Sequence, residues 1–313
     1  MIEPDARLGI AVSGGPDSLA MLLLAATAFP DRIEAATVDH RLRPESADEA
    51  AMVARVCRDR GIGHTVLTVT LPDHGNVQAN ARRERYRALG QWAREHGLAA
   101  IATAHHIEDQ AETLLMRLNR GSGLKGLAAM RNRRPVPMAA DIGLIRPLLG
   151  WHRSELAAIC AAAGLEPAQD PSNRDPKYDR ARIRAAMTGT DWIDPSALAR
   201  SARHLRDAFE ALEEAVDAEL QTRIVFLPEE QGAVYAPSPR QFGVRGLRFR
   251  VLEKLIGELG RSHGAPRGAE IDRLLDTLES GGKTTLAGLE CTVRSGVNGP
   301  EWLFTPEPAR KTG

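Results

Sequence analysis

Two glycines, two serines and an aspartate lie together near the amino terminus, in the run Ser13-Gly14-Gly15-Pro16-Asp17-Ser18. An apolar stretch precedes this run and another follows it, which predicts a strand, a tight turn and a helix. Glycine lets backbone N–H groups approach an anion closely, and the amino end of a helix adds a partial positive charge. The hydroxyls of Ser13 and Ser18 can donate to the same anion. The run therefore predicts a loop that binds phosphate or pyrophosphate.

The carboxylate inside this loop adds a second expectation. Asp17 would repel a bare phosphate unless a cation lay between them, so it points to Mg²⁺, which prefers oxygen ligands. The loop is not of the Walker A type, because no lysine follows Gly15. An ordinary strand-to-helix turn capped by serine or aspartate is the alternative. An ordinary turn is a common explanation of two adjacent glycines alone. It is the weaker explanation when the whole hexad lies between a strand and a helix.

A second polar set lies in residues 103–113, at the start of a predicted helix. His105 and Asp109 are four residues apart, and Asp109 and Glu112 are three apart, so they share one helix face. Beside a nucleotide, such a face could position groups and transfer protons. Zinc is an alternative ligand, but no third histidine or cysteine follows at a suitable spacing. A first turn rich in acids would explain Glu108 and Asp109 but not the pair of histidines.

More polar residues follow the second predicted strand, in the run Asp39-His40-Arg41-Leu42-Arg43. The Asp39 carboxylate could hold a metal or a nucleotide hydroxyl, and the arginines could contact phosphate. A polar loop with solvated charges is the alternative. Taken alone, this run favours the solvated loop.

Arginine is concentrated in three further places. Arg82, Arg85 and Tyr86 have helical spacing, and arginine there could clamp a triphosphate or stack on a base; a surface helix explains them equally well. Two longer basic runs favour a polyanionic substrate, although a solvated face is the usual explanation of any single run. These runs consist of Arg117, Arg120, Lys125, Arg131, Arg133 and Arg134, and of Arg174, Lys177, Arg180, Arg182 and Arg184.

The composition limits the class of protein. The 313 residues allow two domains with buried cores, and 41 basic residues balance 41 acidic ones. Nucleic-acid binding would therefore depend on local basic patches. No apolar run approaches the ~20 residues that span a bilayer, and acids stand at the amino terminus where a signal peptide has bases. The three cysteines form no CxxC pair and no disulfide framework. We therefore expect a cytoplasmic protein without a membrane partner.

Strands and helices alternate over the first hundred residues, which predicts an α/β fold with a doubly wound, mainly parallel sheet. In such a sheet, ligands bind beyond the carboxyl ends of the strands. Ser13, Asp39 and His105 follow predicted strands, so we expect them at one edge. The predicted strands are residues 8–12, 33–38, 64–69 and 98–103; one helix begins at residue 19 and others cover 46–60, 79–96 and 108–118.

Beyond residue 120 the alternation stops. Residues 121–146 are predicted to form a basic loop, 153–163 a helix and 170–175 a turn. A long helix is expected to link a catalytic domain, residues 1–194, to a small domain at 223–313, with 195–222 as the linker. Within the small domain we predict helices near 247–259 and 269–278 and a hairpin over 284–304. Ser280–Thr285 looks like a phosphate loop, but it lacks the first glycine and precedes a predicted strand.

These motifs together resemble the tRNA(Ile)-lysidine synthetase family, part of the PP-loop (N-type ATP pyrophosphatase) superfamily. The hexad matches the superfamily's SGGxDS loop. Family motifs are matched by VDHRLRPES at 38–46 and by TAHHIEDQAETLLMRLNRGSGLKGLAAM at 103–130. GNVQANARRERYRAL at 75–89, RPLL at 146–149 and DPSN at 170–173 are also similar. Three residues depart from the pattern. Gln78 replaces the usual acid, Glu108 replaces a common aspartate, and Ala181 replaces the usual asparagine.

The resemblance implies a reaction. ATP adenylates the C2 carbonyl oxygen of the wobble cytidine in the CAU anticodon of tRNA(Ile), and L-lysine then displaces AMP to give lysidine. It implies a Rossmann-like catalytic domain and a small tRNA-binding domain. It does not fix the oligomeric state, and a homodimer is one of the states it allows. The implied site residues are Ser13, Gly14, Gly15, Pro16, Asp17 and Ser18 for ATP, with Mg²⁺ on Asp17; Asp39, His105, Asp109 and Glu112 for the chemistry; and Arg82 and Arg182 as substrate contacts.

Two other functions are weighed against this one. A tRNA thiolase of the same superfamily needs cysteines spaced for sulfur transfer or for an iron–sulfur cluster, and this chain has none so spaced. A regulatory ATP-binding module needs the loop, but neither the face of His105, Asp109 and Glu112 nor the two basic runs. Exchange of pyrophosphate into ATP that depends on the correct tRNA would distinguish these functions.

Overall fold

The computed structural model describes residues 5–41, 45–72, 74, 76–168, 177, 179–229, 231–238, 244–260 and 266–308. The chain forms two compact units, Met1–Arg206 and Asp207–Gly313. The division lies within one long helix, between residues 194 and 222, the two predicted boundaries of the linker. The predicted domain boundaries stay predictions. No helix in the described part of the chain is long and apolar enough to cross a bilayer.

The first unit is built on a six-stranded sheet with the strand order β3-β2-β1-β4-β6-β5. All neighbours are parallel except β5, which runs antiparallel to β6 at the edge. The doubly wound, mainly parallel α/β fold predicted from the sequence is confirmed. The strands are β1 (Leu8–Ala11), β2 (Ile33–Asp39), β3 (Gly63–Thr68), β4 (Ala100–Ala102), β5 (Arg133–Val136) and β6 (Ala139–Ile145).

Helices cover both faces of this sheet, so that each face has its own core. One core places Leu19 and Leu22 against Leu156, and the other contains Leu89 and Trp92. The helices are α1 (Pro16–Ala28), α2 (Glu45–Arg58), α3 (Val77–Glu95), α4 (Ile107–Asn119), α5 (Leu124–Leu127), α6 (Arg153–Ala162), α7 (Asp179–Thr188) and α8 (Pro195–Arg223). Burial of apolar side chains on both faces is typical of a parallel sheet, whose strands present their carboxyl ends and the loops that follow at one edge.

The segment 121–146 differs from its prediction as a loop. It contains α5 and the hairpin of β5 and β6, which extends the sheet beyond β4. The sequence of β6, Ala-Ala-Asp-Ile-Gly-Leu-Ile, has few residues with strong strand preference. Its strand conformation comes from pairing with β4, in which Ala100 lies opposite Gly143. The predicted turn at 170–175 lies outside the described residues.

The second unit is an antiparallel sheet with the order β7-β8-β11-β10-β9 and two helices. Its core includes Tyr235, Leu252, Leu275 and Phe304. The two helices and the hairpin near residues 284–304 were predicted, whereas β7 and β8 were not. The elements are β7 (Ile224–Leu227), β8 (Gly232–Tyr235), α9 (Val244–Leu259), α10 (Gly268–Glu279), β9 (Thr284–Leu286), β10 (Leu289–Gly296) and β11 (Gly299–Pro306). A strand, not a helix, follows the glycines at 281 and 282.

Candidate active site

The loop between β1 and α1 is folded by its own serines. The backbone N–H of Ser13 donates to Oγ of Ser18 over 3.1 Å, and that hydroxyl lies 3.0 Å from the carbonyl oxygen of Gly15. Gly14 has a φ of +84°, a left-handed conformation that favours glycine. In the described part of the chain, no side chain caps the amino end of α1. The first N–H groups of the helix are therefore available to an anion.

One carboxylate oxygen of Asp17 has no partner among the residues that the structure describes. This atom, Oδ1, is buried, whereas Oδ2 faces His106. A free carboxylate oxygen beside a phosphate loop is a suitable Mg²⁺ ligand, because Mg²⁺ takes one or two carboxylates together with phosphate oxygens. Within the described residues, no group of three or more His, Cys, Asp or Glu could hold a metal. A cation here would therefore share its ligands with a bound phosphate.

His106 connects the loop to α4. Its ring is almost completely buried, and Nε2 lies 3.4 Å from Oδ2 of Asp17 and 3.6 Å from Oδ2 of Asp109. Nδ1 lies 2.8 Å from Oε2 of Glu108. Burial disfavours the charged ring, but hydrogen bonds to Asp17 and Glu108 and the charge of Asp109 outweigh it and raise the pKa of His106 to about 9. The ring is therefore an imidazolium at neutral pH.

Glu108 receives several donors at the amino end of α4. Besides His106, its carboxylate lies 3.2 Å from Nδ1 of His152 and accepts from the backbone N–H of Arg153 over 3.1 Å. Burial opposes ionisation, but the hydrogen bonds, that of His106 first, lower the pKa of Glu108 to about 2. Glu108 thus ties the start of α4 to the start of α6.

Arginines of α7 neutralise the acidic face of α4. Arg180 donates from Nη2 to Oδ1 of Asp109 over 2.7 Å and from Nε to Oε2 of Glu112 over 2.6 Å. Arg184 donates from Nε to the other oxygen of Glu112 over 2.6 Å. Glu112 is 1% exposed and Asp109 is 9% exposed. The predicted pair of carboxylates is therefore a buried, charge-balanced cluster that joins two helices.

His105 differs from its neighbour in charge. Its Nδ1 lies 3.0 Å from Oγ1 of Thr103. Burial lowers the pKa of His105 to about 4; Asp109 opposes this effect, and Arg146, Arg180 and Arg82 add to it. His105 is neutral at physiological pH, whereas the adjacent His106 is charged.

Asp39 lies at the end of β2 and is occupied by local hydrogen bonds. Its Oδ1 accepts from the backbone N–H of Arg41 and from the hydroxyl of Ser46, each over 2.8 Å. The bond from Arg41 is the main cause that lowers the pKa of Asp39. None of the contacts described for Asp39 joins it to α4. Its catalytic role stays a prediction.

The two arginines expected to touch substrate lie in different surroundings. The guanidinium of Arg82 lies 5.0 Å from the centre of the Tyr86 ring. Arg182 is exposed and forms an ion pair with Asp179 on its own helix. The structure therefore brings Arg180 and Arg184, rather than Arg182, to the carboxylates of α4.

Sequence reasoning missed three residues of this site. His106 was not distinguished from His105, and Arg180 and Arg184 were assigned only to a basic run. A signal existed for the arginines. Arg180 and Arg184 are four residues apart and Asp109 and Glu112 are three apart, so each pair lies on one face of its helix and the two faces could pair by charge. Nothing in the local sequence places those two helices side by side.

The fold and the site define a protein of the PP-loop class, and residues 3–190 match the PP-loop domain family. The chain is 48% identical to the tRNA(Ile)-lysidine synthase of Novosphingobium aromaticivorans over 99% of its length and 92% of that protein. It is 41% identical to the tRNA(Ile)-lysidine synthase of Zymomonas mobilis, over 97% of this chain and 90% of that protein. The chain belongs to the tRNA(Ile)-lysidine synthase family, a family of enzymes, and the resemblance found in its motifs is confirmed.

The fold is also found in a solved structure. The chain superimposes on the U34-tRNA thiolase NcsA of Methanococcus maripaludis with a TM-score of 0.53 and 17% identity, over 68% of this chain and 74% of that one. At this identity the likeness concerns the fold alone. That thiolase holds a [4Fe-4S] cluster, whereas the three cysteines of this chain are separate, buried and free.

Proposed function

We propose that this enzyme joins L-lysine to C2 of the wobble cytidine of tRNA(Ile) with a CAU anticodon, in two steps. The C2 carbonyl oxygen first attacks the α-phosphorus of ATP, which forms an adenylated base and releases pyrophosphate. The ε-amine of lysine then attacks C2, the bond from C2 to the adenylate oxygen breaks, and AMP leaves. The amine loses its protons to the site or to solvent.

The observation that carries this proposal is the position of His106. Its imidazolium contacts Asp17 in the phosphate loop and lies 3.6 Å from Asp109 on α4. The groups suited to a triphosphate are therefore adjacent to the carboxylates suited to a cationic amine. A reaction that cleaves ATP and then admits lysine needs both sets of groups at one place.

The loop serves the first step. Backbone N–H groups at the start of α1 and the helix dipole stabilise the negative charge that develops on the leaving pyrophosphate. The hydroxyls of Ser13 and Ser18 add donors. Bound Mg²⁺ would supply further charge neutralisation, and Oδ1 of Asp17 would hold it.

The face of α4 serves the second step. Asp109 pairs with Arg180, and Glu112 pairs with both Arg180 and Arg184. Asp109 is the less buried of the two carboxylates, so it is better placed to attract the ammonium group of lysine, which would share it with a guanidinium. Asp109 has a lowered pKa, because its cationic neighbours outweigh burial. It is accordingly better suited to holding the amine than to removing its proton.

We propose a cytoplasmic location, because the proposed substrate is a tRNA.

The family resemblance also allows a homodimer. Light scattering of the purified protein, with and without tRNA, tests this state.

The decisive experiment uses purified enzyme, ATP, Mg²⁺ and radiolabelled lysine. We expect label in a tRNA(Ile) transcript with the CAU anticodon and none in methionine tRNA, which carries the same anticodon. Omission of ATP should abolish labelling, and Asp17→Asn should reduce it at least tenfold. Label in another tRNA, or in none, would contradict the proposal. ATP binding without pyrophosphate exchange, in the presence or absence of tRNA, would favour an ATP-binding regulatory module instead.

A further inference from the structure

Four arginines of the first unit lie around Tyr86 without a carboxylate. We call this group, Tyr86 with Arg82, Arg85, Arg134 and Arg146, the Tyr86 cluster. Arg82 and Arg134 place their guanidinium carbons 5.0 and 5.9 Å from the ring centre. Arg146 is near enough to Tyr86 for the two side chains to interact electrostatically, and Arg85 precedes Tyr86 on α3. Across the described part of the chain, none of the four forms an ion pair with an aspartate or glutamate.

Arg146 makes the group unusual. The residue is 3% exposed, and Nη1 donates to the carbonyl oxygen of Arg131 over 2.7 Å. Nε of Arg146 and Nε of Arg134 are buried and have no partner among the described residues. Burial, together with the nearby charges of Arg134 and Arg82, lowers the pKa of Arg146. Charged groups are seldom buried unless they are paired, so this site holds more positive charge than its own residues neutralise.

A second buried arginine provides the comparison. Arg250 in the second unit is 8% exposed and pairs with both Glu213 and Glu253. The chain thus supplies acids to a buried guanidinium where the role is structural. The Tyr86 cluster lacks them, which indicates that an external anion completes it.

The fold places the cluster beside the reaction site. Arg146 directly follows β6, the neighbour of β4, and β4 leads to His105. Arg146 and Arg82 both lower the pKa of His105, so their charges lie near its ring. Arg82 is exposed, which opens the cluster to a large ligand. Guanidinium groups bind phosphate through two parallel hydrogen bonds.

We propose that the Tyr86 cluster binds a backbone phosphate of the tRNA next to the nucleotide that is modified. This inference rests on the proposed function. A phosphate of ATP has the same chemistry, but the loop at residues 13–18 already offers donors to the triphosphate. Arg146 of the cluster follows β6, which is two strands away from β1 and the loop that begins there.

The test measures binding rather than turnover. Arg82→Gln and Arg134→Gln each remove one charge, and Arg83→Gln is the matched control, since Arg83 is an exposed neighbour on α3 that pairs with Glu84. Dissociation constants for tRNA(Ile) without ATP are measured over a series of salt concentrations. ATP binding without tRNA is measured by calorimetry. Thermal unfolding of each variant shows that it is folded.

We expect each cluster variant to weaken tRNA binding about three- to tenfold and to reduce the salt slope by about one, with ATP binding unchanged. Weaker ATP binding with unchanged tRNA binding would overturn the assignment to RNA. No change in either constant, or changes equal to those of Arg83→Gln, would overturn the site itself. In a further outcome, the native enzyme incorporates no lysine while the cluster variants still lose affinity for tRNA. That result would support the phosphate site and contradict the proposed reaction.

Discussion

Nε2 of His106 lies 3.4 Å from Oδ2 of Asp17, so a buried imidazole at the start of α4 contacts the phosphate-binding loop. The contact is charged, because hydrogen bonds and nearby carboxylates outweigh burial and raise the pKa of the ring to about 9. One side chain thus fixes the relative positions of the loop and the acidic face of α4.

Replacing His106 by glutamine should destabilise the first unit. The substitution leaves Asp17 and Glu108 without the cation between them, and breaking a largely buried ion pair costs about 2–3 kcal/mol. Urea denaturation measures this difference in the free energy of unfolding. His96→Gln is the control, because His96 also pairs with a carboxylate, Glu34, but is more exposed. Equal losses in the two variants would show that burial of His106 contributes nothing.

Glu108 should make stability depend on pH in the acid range. Its pKa is lowered from 4.5 to about 2 in the folded chain. Its contribution is therefore fully present above pH 4.5 and is lost as the pH falls through 2. The difference in unfolding free energy between the native chain and Glu108→Gln should shrink over this window. A difference that stays constant from pH 5 to pH 2 would contradict the assigned hydrogen bonds.

Gly14→Ala should weaken ATP binding at least tenfold. A side chain at φ +84° is strained, and its Cβ would lie 3.3 Å from Cε of Met52, so the loop would lose its native backbone conformation mainly through the backbone strain. Gly97→Ala is a matched control, since Gly97 has φ +63° and free space around it. It should lose about 1 kcal/mol of stability with ATP binding intact. Calorimetric titration with ATP distinguishes the two variants, and equal affinities would exclude a role of the loop in ATP binding.

Asp109→Asn should abolish the transfer of lysine without unfolding the chain. The amide keeps the size of the side chain but loses the charge that attracts an ammonium group and that pairs with Arg180. We expect at least a hundredfold loss of lysine incorporation with ATP affinity within threefold of the native value. Asp141→Asn removes a carboxylate from an exposed ion pair with Arg94 and should remain active. An active Asp109→Asn enzyme would remove this residue from the reaction.

Much of the fold followed from local pattern. Alternating apolar strands and helices predicted the parallel sheet, and the glycine-rich loop lay where it was expected, between β1 and α1. The edge at which Ser13, Asp39 and His105 lie follows from the same alternation, because parallel strands present their carboxyl ends on one side. The predicted roles of these residues await the experiments above.

Which groups meet depends on how distant segments of the chain pack together. Arg180 is 71 residues from Asp109 along the chain, and no periodic pattern links the two helices that carry them. Strand β6 forms because β4 is beside it, and His106 rather than His105 is charged because three carboxylates surround its ring. Periodicity and glycine content act over a few residues, so the loop and most of the helices and strands could be predicted locally, whereas β5, β6, β7 and β8 could not. Burial and charge pairing act between distant segments, so they could be known only once the chain was folded.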